Sequence, residues 1–290
     1  MIKAKIIADS VSAHTGTRIT TMELEYPRFT HGEFMSHRQF SRNASSSRAI
    51  PIDRMIEQVK TNTAIPIHWG LNQSGMQAKD EQANSTLAIN AWLNARDSAV
   101  KHALKLKELG LHKQIVNRVL EPFQMMKTLV TSTSFDNFFN LRCHKDAQPE
   151  IKALADTMYQ VMQKSKPIQL KHGEWHTPYV EHTRSATGEM QYYTETDGNY
   201  IELSLVDAIK VSCSCSAQVS YRKNDTSIKK AKDIYDKLIN SNPVHASAFE
   251  HCATPINLDN WKSIQSGNFT NWLQYRQLIP NHVCHEFKKG

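Results

Sequence analysis

In "TTMELEYPRF" the apolar residues Met22, Leu24 and Tyr26 alternate with Glu23 and Glu25. That period of two predicts a half-buried strand, ended or edged by Pro27. Helical spacing takes over later. In "STLAINAWLNARDSAVKHALKLKELG", Ala88, Trp92, Ala95, Ala99, Ala103 and Leu106 recur at three- and four-residue steps, with Ser85 as the N-cap and Gly110 as the C′ stop. A second helix is predicted over about His112 to Leu120, closed by Pro122, and a third across or just after "FDNFFNLRCH", continuing through "PEIKALADTMYQVMQKS". Ser204 and Asp207 form a capping box opening a helix toward Tyr221. "SIKKAKDIYDKLINS" aligns Ile228, Ala231, Ile234, Tyr235 and Leu238 on one helical face. Between these helices, residues 166–203 are polar, aromatic and turn-rich, which predicts a long connector containing a hairpin and no separate domain.

The chain has 290 residues, 40% hydrophobic and 22% charged, a globular balance without a membrane-length apolar run or a signal-peptide pattern. Five cysteines without a secretory leader fit a reducing, cytoplasmic compartment. Cys213-Ser-Cys215 lacks zinc-knuckle spacing and reads as helix-face thiols. His172, His176 and His182 invite a metal, but no helical pattern aligns them, so an ordered polar loop is expected and no metal site is assigned. The net charge of +7 suits polyanions and phosphorylated small ligands equally, yet Lys and Arg are spread along the chain, which makes nucleic acid a secondary expectation. None of the ten glycines forms a G-x-G-x-x-G or P-loop motif, so any phosphate must be held by arginines, hydroxyls and backbone N–H groups.

"SHRQFSRNASSSRA", Ser36 to Ala49, supplies those groups. On its own it is either a solvated basic loop or an oxyanion cradle. If extended, it turns His37 and Arg38 to opposite sides and alternates Ser41, Asn43 and Ser45 with Arg42 and Ala44. A hundred residues on, Asn137 and Arg142 sit among Phe135, Phe138, Phe139 and Leu141. A guanidinium in that setting needs an anionic or polar partner. Arg118, in "NRVLEP", either packs on a helix C-terminus or serves a site.

At these residues the chain resembles the flavin-dependent thymidylate synthases. Their signature is Arg-His-Arg, then Ser, Asn-Glu and Ser-x-Arg-Tyr, after a strand ending in proline; here His37, Arg38, Ser41, Asn43, Ser46 and Arg48 hold those offsets. The family's Asn-Phe-Leu-x-Leu-Arg and Ala-Gln-x-Glu-Ile blocks resemble "NFFNLRCHKDAQPEI", and an arginine shortly before Leu-Pro corresponds to Arg118. The family's opening blocks resemble "SAQVSYR" at 216–222 and "HASAFEHCATP" at 245–255, which here follow the Arg-His-Arg region. That order implies a circular permutation with 166–203 as connector.

The resemblance implies an α+β fold, a mixed or antiparallel sheet flanked by helices, in one domain over 1–290. It also implies transfer of a one-carbon unit from methylenetetrahydrofolate to C5 of dUMP, with hydride from FAD reduced by NADPH. His37, Arg38, Asn43, Asn137, Ser220, His245 and Ser247 would bind flavin. Glu33, Ala44, Ser46, Ser47, Arg48 and Arg118 would bind the nucleotide, and Arg142 would stabilise the ionising pyrimidine as the catalytic cation. Sites shared between subunits of a homotetramer are expected. The pattern also departs from the family: Ser36 replaces Arg, Ala44 replaces Glu, Ala49 replaces Tyr, and Glu33 stands where Gln is frequent. These departures leave room for hydroxymethylation or another pyrimidine modification, and outside that class for a nucleic-acid-binding or catalytically silent homologue.

Overall fold

The computed structural model describes residues 1–77, 84–196, 198–221, 224–257 and 267–285. Five strands form its main sheet: β1 (Lys3–Ser12), β2 (Arg18–Pro27), β3 (Ser41–Ala44), β4 (Met125–Ser132) and β5 (Ile168–Leu170), in the order β3-β4-β2-β1-β5. Only β1 and β5 run parallel, so the sheet is mixed, as the α+β expectation requires. The helices are α1 (His31–Met35), α2 (Ile52–Thr61), α3 (Ser85–Glu108), α4 (Lys113–Val116), α5 (Asp136–Arg142), α6 (Pro149–Lys164), α7 (Leu205–Ala217) and α8 (Ile228–Ile239). The connector holds more than a hairpin: β5 joins the main sheet, and β6 (Glu181–Arg184), β7 (Met190–Thr196) and β8 (Asn199–Leu203) form an antiparallel sheet. A short pair, β9 (Ala253–Pro255) and β10 (Trp272–Gln274), follows α8.

Both faces of the main sheet are covered, and the alternation within β2 shows how. Met22, Leu24 and Tyr26 point to one side and pack with Phe34 of α1, Phe138 of α5 and Ile151, Leu154 and Met158 of α6. Burial of these side chains is the main local drive for folding, at about 25 cal/mol per Å² removed from water. The opposite face is polar and still buried. There Ser10, Thr21 and Thr131 meet His176 and His251 from the C-terminal half, all at 2% exposure or less. His176 bonds Ser10 Oγ through Nδ1 (2.9 Å) and Thr21 Oγ1 through Nε2 (2.8 Å). Thr21 bonds Thr131 (2.7 Å), which bonds His251 Nδ1 (2.8 Å). This chain of bonds clamps the C-terminal half onto the sheet and leaves His251 Nε2 as the one ring nitrogen of the pair without a hydrogen-bond partner among the described residues. His176, considered above as a metal ligand, is the hub of this clamp.

Several predicted boundaries move. The N-cap of α3 is Asn84, whose Oδ1 accepts from Leu87 N, one residue before the expected Ser85; Gly110 does take the left-handed conformation after the helix, at φ +77. The predicted 112–120 helix is a single turn, α4, running into a 3-10 segment Asn117–Phe123 that contains Pro122. The third helix divides into α5 and α6 across residues 143–148, because Gln148 caps a new helix that starts at Pro149. The capping box at 204 is present, with Ser204 Oγ accepting from Asp207 N at 3.1 Å. Ser204→Ala is expected to lower stability by about 1 kcal/mol, read as a shift of the denaturant midpoint at constant slope. Cys213 and Cys215 are fully buried on α7.

Candidate active site

The stretch from Ser36 to Ala49 is extended only over β3. His37 and Arg38 lie in a turn after α1, which replaces the expected opposite-facing pair. Within β3 the alternation holds. Arg42 turns toward α1 and donates through Nη1 to the carbonyls of Phe34, Met35 and His37 at 3.2, 3.2 and 2.9 Å, closing the helix end. Ala44 is half-buried against the helix-side core, which puts it in an apolar contact and not, as expected, on the nucleotide. On the other face Ser41 donates to Asn268 Oδ1 and Asn43 donates to the Ser216 carbonyl, both at 3.0 Å.

One cluster forms where α1 meets α5. Arg142 Nε donates to His37 Nε2 at 3.0 Å, and Nη2 donates to Ser36 Oγ at 3.2 Å. Ser36 in turn donates to the Glu33 carbonyl at 2.6 Å. The His37 ring is edge-on to Phe138 (4.8 Å between centroids) and near-parallel to Phe40 (5.9 Å). Burial lowers the pKa of His37, and the neighbouring Arg142 and Arg42 lower it further. The ring is therefore held neutral, with Nε2 as acceptor and the proton on Nδ1. Both partners of Arg142 are neutral, and no carboxylate pairs with it among the described residues. Its charge is held in place and left uncompensated. Arg38 and Asn137 flank this cluster, exposed to solvent, and the Glu33 side chain is half-buried beside it.

The second cluster lies past β3. Ser46 N donates to Ser220 Oγ (2.9 Å), and Arg48 N donates to Ser46 Oγ (3.3 Å). Ser47 Oγ donates to Glu121 Oε1 at 3.0 Å. The same oxygen accepts from Arg118 Nη1 at 2.9 Å and is ion-paired with Arg28 Nη2 at 3.1 Å. Asn117, fully buried, ties the two strands of the cluster together by donating to the carbonyls of Ser47 (2.7 Å) and Ile50 (2.9 Å). The Arg48 side chain is exposed. Beside the cluster lies a cavity of about 300 Å³, lined among others by Ser45, Ile50, Arg54, Gln124 and Ser220.

Arg28, Asn117 and Glu121 escaped the sequence reading. Arg28 follows a strand-ending proline and Glu121 precedes a helix-ending one, positions that local patterns assign to capping. The two out-of-order blocks both reach β3 or the residues just past it: Ser216 bonds Asn43, Ser220 bonds Ser46, and the 3-10 turn Ala246–Glu250 packs along β3. His245 and Ser247 themselves face solvent.

The mixed sheet with helices packed on it defines an α+β fold, with arginines gathered where α1 meets α5 and again past β3. Residues 10–168, more than half of the chain, match the model of the family described as thymidylate synthase complementing protein. The chain belongs to that family, the flavin-dependent thymidylate synthases. The match spans Arg28, both ends of the Ser36–Ala49 stretch, Arg118 and Arg142, and stops before the blocks at 216–255. No curated protein matches the chain in sequence. Among solved structures it is similar to a UMP/dUMP methylase, PolB from Streptomyces cacaoi, bound with 5-Br UMP: 18% identity over 57% of this chain and 89% of that one, TM-score 0.48. The same protein bound with 5-Br dUMP gives 17% identity, 57% and 90% coverage, and TM-score 0.47. Among the described residues, no helix is long and apolar enough to cross a membrane.

Proposed function

We propose that this protein transfers a one-carbon unit from methylenetetrahydrofolate to C5 of dUMP, with FAD reduced by NADPH as hydride source. The observation that carries this reading is Arg142: a guanidinium fixed by two neutral partners and left without a counter-ion. Such a cation is suited to the negative charge that develops on a pyrimidine when N3 loses its proton and C5 becomes nucleophilic. Uracil has that proton and cytosine lacks it, which favours a uridine nucleotide. No cysteine nucleophile is required.

FAD, when bound, supplies the hydride. Of the residues expected to hold it, Arg38 and Asn137 fit, since both are exposed, Arg38 next to His37 in the chain and Asn137 on the helix that carries Arg142. Asn43 and Ser220 spend their polar atoms internally, bracing β3 against residues 216–220, so their part is to position the strand. His37 orients Arg142 through Nε2 and, being neutral, adds no competing charge. The Ser46–Arg48 segment with Arg118 and Arg28 is assigned to the nucleotide phosphate. Because Arg142 and Arg118 belong to separate clusters, we assign a complete site to two copies of the chain, one giving the cation and the other the phosphate cradle. The contacts of residues 216–220 and 246–250 with β3 support a circular permutation within one domain: the blocks have changed place in the chain and kept a place beside the motif.

Purified protein is expected to be yellow, with a flavin spectrum bleached by NADPH, and to convert dUMP to a product heavier by a methyl group. A product heavier by a hydroxymethyl group would move the reading to water capture of the transferred methylene. Colourless protein that binds DNA with strong salt dependence would overturn it.

A further inference from the structure

Resting on that nucleotide reading, we propose that Glu121 is a specificity-determining residue: its carboxylate holds the place of the ligand's phosphate and must be exchanged for it. Three groups converge on one oxygen, Oε1: the Ser47 hydroxyl donates at 3.0 Å, Arg118 Nη1 donates at 2.9 Å and Arg28 Nη2 forms an ion pair at 3.1 Å. A hydroxyl and two guanidiniums around one anionic oxygen are the donor set of a phosphate site. Here the chain itself supplies the anion. The two arginine clusters therefore differ in state: Arg142 has no carboxylate partner among the described residues, whereas Arg28 and Arg118 share the single carboxylate of Glu121.

The exchange is sterically open and electrostatically unfavourable. The Glu121 side chain is 20% exposed, so it has a way out to solvent, and Arg118 is 54% exposed. Its second oxygen, Oε2, accepts no hydrogen bond among the described residues. The backbone cannot carry the carboxylate away, because Glu121 sits between buried Leu120 and Pro122 and its carbonyl accepts from Gln124 N at 3.2 Å. Asn117 bolts the same segment to Ser47 and Ile50. A displaced carboxylate thus stays close to an incoming phosphomonoester, which carries a charge near −2. Both groups are acceptors only, so neither satisfies the other. The carboxylate then holds dUMP affinity below what the same cradle would give without it, whereas deoxyuridine, which has no phosphate to seat, leaves Glu121 in place.

Calorimetric titration of the purified protein with dUMP and with deoxyuridine tests this, using wild type, Glu121→Gln and Glu121→Leu. Glu121→Gln keeps the shape and removes the charge; it is expected to tighten dUMP at least about tenfold, with deoxyuridine held within about twofold. Inorganic phosphate is expected to compete with dUMP more strongly in the variant than in wild type. Glu121→Leu frees all three donors and is expected to move dUMP affinity the same way; should it fail to fold, Glu121→Gln decides. Unchanged or weakened dUMP binding in Glu121→Gln, with deoxyuridine still bound, overturns the proposal and leaves Glu121 as a brace for two arginines. Absence of binding by both ligands in every form overturns the uridine reading itself, and this inference with it.

Discussion

Arg142→Ala is expected to lower kcat for dUMP conversion by at least about a hundredfold, the usual cost of deleting one preorganised donor from a developing anion, while flavin content stays at the wild-type level. The expectation follows from what Arg142 touches. Its two anchors, His37 Nε2 and Ser36 Oγ, are neutral, so the guanidinium charge is not spent inside the protein. The alanine variant removes that charge and leaves His37 packed between Phe138 and Phe40. Arg142→Lys is a sharper probe, since a single ammonium cannot reproduce the planar fork that spans His37 and Ser36, and it is expected to recover only part of the rate. Activity is also expected to fall at low pH. Burial and the two nearby arginines hold the His37 pKa below the ordinary histidine value. When the ring finally takes a proton, Nε2 ceases to accept and Arg142 faces a like charge. A wild-type rate in Arg142→Ala sinks the assigned role; loss of rate together with loss of flavin points to a structural fault.

Stability is expected to fall steeply below about pH 6.5, at roughly 1.4 kcal/mol per pH unit for each of His176 and His251. Both rings are fully buried. Burial, with small contributions from His182 and His251, pushes His176 well below the ordinary value, and burial alone takes His251 down to about 3. Both are neutral in the fold. The unfolded chain protonates them as pH drops through about 6.5, so from there downward the unfolded state binds more protons and gains on the native one. The loss continues until the folded pKa is reached, near pH 3 for His251. Urea melts at pH 7.5 and pH 5 measure it, and His251→Gln should reduce the slope. Equal stability at the two pH values would mean that neither ring is held neutral by the clamp between the sheet and the C-terminal half.

The residues also show why some features were legible in the chain and others were not. β2 was readable because one face is packed by helices while Glu23 and Glu25 stay half-buried on the other, which preserves the alternation. β4, "MMKTLVTS", is buried on both faces and carries no clean period, and the register of β1 shifts between Ile6 and Ala8, so alternation marks neither strand. Capping at Ser204 was legible because donor and acceptor lie three residues apart. The His37–Arg142 bond spans 105 residues and the Ser47–Glu121 bond spans 74. Sequence spacing could name the members of those pairs, or some of them, and not the pairing.

The sequence by itself determined the cap at Ser204, the strand in "TTMELEYPRF", the α+β class and the family, because these are written in short-range periodicity and in motifs of fixed offset. Only the tertiary structure decided that Arg142 is left bare while Arg28 and Arg118 share one carboxylate. That difference depends on which carboxylate reaches which guanidinium across the fold, and β3, α5 and the 117–123 segment come together only when both faces of the sheet are buried.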